Sequence, residues 1–146
     1  MRVKDVIDKC IALLDVVADK FDLLSCFNLI EHELALDYFP LYATHKCNTQ
    51  TVLYTELEHK PVRIVKCNCG FKIFPEHIEA KELITEITYA YAPDEKELYD
   101  ECSYGDSLFD CLVLGTIHEY LLMQGFYEEA ILWDLKYKKE IDRVVS

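Results

Sequence analysis

The stretch Ile84-Thr85-Glu86-Ile87-Thr88-Tyr89-Ala90-Tyr91 decides the fold class of this chain. Its first half alternates apolar and polar residues, as half-buried β-strands do, and Pro93 closes it. Three shorter β-favouring runs precede it, at residues 51–55, 62–66 and 71–74. The sequence therefore predicts a small antiparallel sheet within a β-rich region of about 50–92. A hairpin is expected across the turn Asn68-Cys69-Gly70, between the second and third of these runs.

Helical patterns flank this region on both sides. Apolar residues recur every three or four positions from Val3 to Phe21, which predicts a first helix over 3–21. A second helix is predicted over 25–39, where Pro40 ends it, and a third over 107–124, where Gly125 ends it. A last helix is predicted over 127–142. The expected fold is α+β: N- and C-terminal helices form a small bundle, with a central antiparallel β-sheet insertion, in a single domain over 1–146.

Gly115 lies inside the third predicted helix, which is apolar nearly all round. A glycine there costs roughly 1 kcal/mol relative to alanine. We expect close packing against another backbone to offset that cost.

The net charge of −12 argues against binding nucleic acid through phosphate contacts, which need clustered lysine and arginine. Charged residues interrupt every segment before a membrane span is reached, and the N-terminus lacks the apolar run of a secretory signal. The seven cysteines are odd in number and scattered, as is typical of reduced thiols in the cytosol. The sequence thus predicts a soluble protein that contacts no membrane and is made in a cytoplasm.

No motif in the chain indicates an active site or a cofactor. The pair Cys67 and Cys69, with Cys47, suggests zinc, but structural zinc sites usually need a second cysteine or histidine pair. The segment 103–107 contains serine and aspartate without the G-x-S-x-G nucleophile elbow. We therefore predict a protein that is not an enzyme and has no catalytic, cofactor or metal residues. A thiol or metal protein that uses these three cysteines stays open as an alternative.

Three groups of segments resemble a known family. They are residues 37–41, the strand region with 61–65 and 87–93, and residues 115–120 continuing through 125–130 and 133–137. Their order is similar to that of the head–tail connector, or adaptor, proteins from the neck of tailed bacteriophages. In that family, terminal helices flank a β-rich insertion.

The resemblance implies a structural virion protein that forms a homo-oligomeric, dodecameric ring under the portal. Such a ring joins head to tail, binds the portal protein and the tail or next neck protein, and lets DNA pass without specific binding. It implies a location at the virion neck after synthesis in the bacterial host cytoplasm. Because carboxylates offer DNA phosphates no attractive partner, the candidates for the channel lining are acidic: Asp94, Glu95, Glu97, Asp100 and Glu101.

Candidates for subunit contacts lie in the last helix. They are its basic cluster and two aromatic residues: Lys136, Lys138, Lys139, Arg143, Tyr127 and Trp133. We expect this basic tail to pack against an acidic neighbour, so that deletion of residues 136–146 weakens assembly and spares folding. The alternative function is a small acidic regulatory protein that binds a host protein.

Overall fold

The computed structural model describes all residues from Met1 to Ser146. The helices are α1 (Val3–Leu13), α2 (Lys20–Glu33), α3 (Phe109–Met123) and α4 (Tyr127–Val145). The strands are β1 (Leu41–Leu53), β2 (Pro61–Cys67), β3 (Lys72–Ile73) and β4 (His77–Tyr91). A π-helical turn, Leu34–Tyr38, follows α2, and short 3-10 turns span Tyr54–Glu56 and Asp106–Leu108. The predicted α+β fold, with helices before and after a central antiparallel sheet, is confirmed.

The chain divides into two compact units. The helical unit comprises Met1–Leu34 and Glu95–Ser146, and therefore contains all four helices. The sheet unit comprises Ala35–Asp94. None of the helices combines the length and the apolar character that crossing a bilayer requires.

The bounds of the first two predicted helices, 3–21 and 25–39, are wrong, because the first helix ends at Leu13 and the second already begins at Lys20 and is α-helical to Glu33. α1 ends at Leu13, and Asp19 begins α2, where its Oδ1 accepts hydrogen bonds from the backbone N–H groups of Phe21 (2.8 Å) and Asp22 (3.1 Å). An aspartate that satisfies these otherwise unpaired donors stabilises a helix start. Of the predicted stripe, the part up to Cys10 is buried, whereas Val17 is fully exposed.

The core of the helical unit lies where α2, α3 and α4 meet. Gly115 of α3 faces Ile30 of α2 and Tyr137 of α4, both of which are buried. The close neighbours of Gly115 are thus side chains, and the expected backbone contact is wrong. Gly125 ends α3 with a positive φ of 83°, and the Phe126 N–H donates to the Leu121 carbonyl at 2.9 Å. This left-handed glycine cap confirms the predicted end of that helix.

All strands of the sheet are antiparallel and pair with β4. β1 lies along one edge of β4, while β2 and β3 pair with its other edge. The predicted hairpin between β2 and β3 is therefore wrong. The reason is Asn68, whose side chain accepts from the Thr85 N–H at 2.8 Å and donates to the Leu83 carbonyl at 3.1 Å. These bonds hold the turn against β4, so the chain continues along that strand.

The sheet unit has its own buried cluster, formed by Val52, Leu57, Ile78, Ile84, Ile87 and Tyr89. The apolar positions at the start of the deciding stretch, Ile84 and Ile87, are both fully buried in it. The first ten residues of β1 carry few β-branched side chains and were not predicted as strand. Pairing with β4 places them in the sheet, with Leu41 opposite Tyr91 and Thr44 opposite Thr88.

Candidate functional site

The last helix, α4, has two apolar faces, and only one of them is covered. Ala130, Tyr137 and Ile141 are buried. On the other side of the helix, Tyr127, Ile131, Leu132 and Leu135 are each 60–65% exposed. Large apolar side chains at such spacing form a continuous stripe on a helix. We call these four residues the α4 face.

The orientation of α4 is fixed by its contacts with α3. The His118 ring lies with Nδ1 2.9 Å from the Ala130 carbonyl oxygen, and its Nε2 lies 3.7 Å from Asp134 Oδ1. One turn earlier in α3, Gly115 leaves room for the Tyr137 ring. Both contacts lie on the covered side of α4, and they hold the α4 face outward.

Apolar side chains are also exposed at the end of α3 and in the turn that follows it. Leu122, Met123 and Phe126 are 37%, 49% and 41% exposed. Isolated exposed apolar residues are normal, but a contiguous apolar area on a small protein marks a contact surface. The four residues of the α4 face were not singled out from sequence. The available signal was the spacing of Tyr127, Ile131 and Leu135, which puts them on one helical stripe separate from the buried one.

A small cavity of about 200 Å³ lies beside this helix. Its lining includes Leu13, Val16, Leu121, Phe126 and Trp133. Trp133, one of the predicted interface residues, is half-buried there, while the predicted Tyr127 is exposed. Asp15 and Glu129 also line the cavity, which is therefore apolar with two acidic residues and of a size that admits a single side chain.

The basic cluster of α4 is partly engaged within the helical unit. Lys138 Nζ lies 3.6 Å from Glu33 Oε1, and Arg143 Nε lies 2.9 Å from Glu140 Oε1. Lys136 Nζ stands 4.3 Å above the Trp133 ring. Lys139 is exposed. All four basic residues are exposed, and they differ in their partners: Lys138 and Arg143 form ion pairs within the helical unit, whereas Lys136 and Lys139 form none.

The expectation that residues 136–146 can be deleted without affecting folding is wrong. Tyr137 and Ile141, both in that segment, are 1% and 2% exposed. Deleting them would open the core of the helical unit. Losses of this size from a core usually cost several kcal/mol, so a truncation cannot separate assembly from folding.

The five acidic lining candidates are all exposed, as such a role requires. Some of them also make local contacts. Glu101 Oε2 lies 3.0 Å from the Met1 ammonium, and Asp100 Oδ2 accepts a 2.7 Å hydrogen bond from the Glu97 N–H. These contacts order the segment that follows the sheet unit and still leave its carboxylates at the surface.

That segment is fastened to α2 by a buried polar network. Glu31 is fully buried and binds Lys96 Nζ at 2.9 Å and the Ser103 N–H at 2.9 Å. Asn28 exchanges two hydrogen bonds with the Lys96 backbone, at 2.8 and 3.1 Å. This network accounts for the only fully buried carboxylate of the chain.

The same network contains a serine next to a lysine, a pair that some hydrolases use as nucleophile and base. Lys96 Nζ lies 2.9 Å from Ser103 Oγ. The base in such chemistry must accept a proton, whereas Lys96 here is the cationic partner of Glu31. The contacts of Lys96 with Glu31 and Ser103 are those of a structural ion pair and hydrogen bond, and Ser103 lacks a neutral base.

The three cysteines considered for metal binding all belong to the sheet unit. Cys47, Cys67 and Cys69 are half-buried and pack against its apolar cluster. No group of three or more histidine, cysteine, aspartate or glutamate side chains is placed to hold a metal ion.

Neither a scan against protein-family models nor a search of curated proteins finds a match for this chain.

Proposed function

We propose that this chain is a non-enzymatic structural protein of a tailed-phage virion, a head–tail connector or adaptor. In this proposal it forms a homo-oligomeric ring under the portal, joins head to tail, and lets DNA pass without specific binding. The protein is made in the bacterial host cytoplasm and resides at the virion neck. The observation that carries the proposal is the α4 face, because four large apolar residues exposed together indicate a surface that is covered in an assembly.

The proposed occupant of the α4 face is a second copy of this chain. Lys136 and Lys139 lie four residues after Leu132 and Leu135, so each basic residue adjoins an apolar one on the same stripe. The chain as a whole carries a net charge of −12. A neighbouring copy therefore offers acidic surface around any apolar contact, and opposite charges at the rim would orient the two subunits.

Contact between different surfaces of neighbouring copies favours a ring. A contact that joins a basic, apolar patch to an acidic patch elsewhere on the next copy repeats from subunit to subunit, and closes when the rotation allows it. In this proposal the exposed carboxylates of Glu95 and Glu97, in the segment that follows the sheet unit, line the channel, and Asp94, Asp100 and Glu101 belong to the same acidic surface. Carboxylates provide DNA with none of the phosphate contacts on which non-specific binding depends.

Deletion of the gene from the phage or prophage that carries it tests this function. Electron microscopy of the lysate should show separate heads and tails, or heads that have lost their DNA. Normal infectious virions would overturn the proposal. They would favour instead a small acidic regulatory protein that binds a host protein.

Complementation of that deletion connects the function to the α4 face. The double variant Ile131→Ser/Leu135→Ser should fail to restore joined virions, while Leu29→Ser should restore them. Leu29 is a matched control, since it is 59% exposed against 63% for Leu135 and lies on a different helix, α2. Equal rescue by both variants would show that assembly does not use the α4 face.

A further inference from the structure

The turn Cys67-Asn68-Cys69 is held in an unusually fixed position on the sheet. Cys67 is the last residue of β2. The side-chain amide of Asn68 bonds to the β4 backbone through both its oxygen and its nitrogen. Its Oδ1 accepts from the N–H of Thr85 at 2.8 Å, and its Nδ2 donates to the carbonyl of Leu83 at 3.1 Å. The residue between the two cysteines is thereby fixed, and the cysteines are fixed with it.

Both thiols of this turn point to the same small region. Cys67 Sγ lies 3.8 Å from Asn68 Oδ1. Cys69 Sγ lies 3.9 Å from the Leu83 carbonyl oxygen, the same oxygen that accepts from the Asn68 side chain. Burial raises the pKa of Cys69, and the charge of the neighbouring Cys67 raises it further. The two thiols, two residues apart, are therefore both anchored to one connected set of groups, the Asn68 amide and the Leu83 carbonyl.

A third thiol lies nearby but is oriented differently. Cys47 belongs to β1, which pairs with the opposite edge of β4 from β2. Its Sγ donates to the Ile84 carbonyl at 3.2 Å, the shortest thiol hydrogen bond in the chain. Cys47 is thus held on the Ile84 carbonyl, whereas Cys67 and Cys69 are held on the Asn68 amide and on the Leu83 carbonyl that this amide binds.

We infer that Cys67 and Cys69 form a thiol-modification site, a dithiol pair that a small-molecule disulfide converts to an intramolecular disulfide. One thiol, as thiolate, attacks the disulfide, forms a mixed disulfide and releases one small-molecule thiol. The second then attacks the protein sulfur of that mixed disulfide and releases the other small-molecule thiol. The pair loses two protons and two electrons in total, and the disulfide reagent is reduced to two thiols.

The geometry favours the second step. A thiol two residues away, on a turn fixed by Asn68, has an effective concentration on the order of millimolar or more. Ring closure should therefore exceed capture of the second thiol by micromolar oxidised glutathione. Cys10, Cys26 and Cys111 are fully buried or nearly so and are excluded from such exchange by lack of access. Cys102 is half-buried and has no second cysteine within eight residues along the chain, so it can form a mixed disulfide but no ring like that of Cys67 and Cys69. This inference stands independently of the proposed virion function.

Oxidised glutathione at micromolar concentration, added to the full-length chain, tests the site. Remaining thiols are then alkylated and the peptides mapped by mass spectrometry. We expect one peptide, containing residues 67–69, to lose the mass of two hydrogen atoms and to resist alkylation. Cys69→Ser should abolish this loss and leave a glutathione adduct on Cys67, while Cys47→Ser should leave the loss unchanged.

Two results would overturn the inference. One is a disulfide that joins Cys47 to either residue in the wild-type chain. The other is accumulation of glutathione adducts on Cys67 or Cys69 without ring closure. A further variant, Asn68→Ala, distinguishes the effect of the fixed turn from the mere presence of two thiols. It keeps both cysteines and removes the side chain that holds the turn. It should slow closure by about tenfold or more relative to wild type if the fixed turn supplies the effective concentration.

Discussion

Replacing Gly115 with alanine adds a single methyl group at the point where α2, α3 and α4 meet. A Cβ at this position would lie 2.8 Å from Ile30 Cγ2 and 2.9 Å from Tyr137 Cε1. Carbon atoms attract each other at roughly 3.5–4.0 Å and repel at these shorter distances. Neither neighbour can move away easily, because both are fully buried, one a β-branched side chain and the other a ring.

The size of the effect follows from two opposing terms. Forcing an extra carbon into a well-packed core costs about 1–3 kcal/mol, and two fixed neighbours favour the upper half of that range. Alanine recovers about 1 kcal/mol of helix propensity relative to glycine. The free energy of unfolding should therefore fall by about 1–2 kcal/mol. For a chain of this size, that corresponds to a decrease of roughly 2–8 °C in the midpoint of thermal unfolding.

Thermal and urea unfolding, followed by circular dichroism, measure this difference. Gly105→Ala is the matched control, since nothing lies within 4 Å of its added Cβ and its backbone is extended. That variant should remain within about 0.5 kcal/mol of wild type. If Gly115→Ala were as stable as Gly105→Ala, or more stable than wild type, the close packing of three helices around Gly115 would be refuted.

Three further predictions concern other parts of the helical unit. Lys96→Met should lower the free energy of unfolding by about 3–5 kcal/mol, because the buried Glu31 carboxylate loses its cation. Urea unfolding checks this, and the double variant Glu31→Gln/Lys96→Met, which removes both charges, should lose less. Burial raises the pKa of Cys10 to about 12 and of Cys111 to about 11, from an ordinary value of 9.0. Above pH 9 the unfolded chain thus loses thiol protons that the folded chain keeps, so the free energy of unfolding should fall by up to about 1.4 kcal/mol per pH unit for each thiol. The slope should be shallower in Cys111→Ala, and these thiols should have no effect below pH 9. Leu135→Ser should leave the free energy of unfolding of the isolated chain, measured by urea unfolding, within about 0.5 kcal/mol of wild type, since the side chain is exposed; a larger loss would mean that it supports the fold.

Helix ends and the central strand could be predicted from sequence, because they depend on the conformational preferences of neighbouring residues. Pro40 and Gly125 mark helix ends because proline and a left-handed glycine impose backbone geometry on their own neighbours. Alternation around Ile84 and Ile87 identified the central strand, because one face of it is buried. These signals need no knowledge of distant residues.

The errors arise where a side chain acts on a distant or competing part of the chain. Asn68 looked like the centre of a hairpin, but it bonds to β4, fifteen and seventeen residues later. Asp19 looked like one residue of a solvated helix face, but its carboxylate begins a new helix. The same residue types suit both roles, so tertiary contacts decide between them.

The sequence placed the candidate surface on the last helix, where the α4 face lies, but it indicated basic residues and not the apolar ones. Sequence analysis identified the last helix through its basic cluster, whereas the structure shows Lys138 and Arg143 paired within the helical unit. The apolar α4 face was missed because α4 carries two apolar stripes. Contacts with α3 determine which stripe is buried, through the packing of Tyr137 against Gly115 and the contact of His118 with the Ala130 carbonyl.

Quantitative mass spectrometry of purified virions tests the central claim most directly. The proposed function predicts that this chain copurifies with DNA-filled, tailed particles, in several copies per particle and in constant ratio to the portal protein. Its absence from purified virions that are otherwise complete would contradict the claim, whatever the chain does in the infected cell.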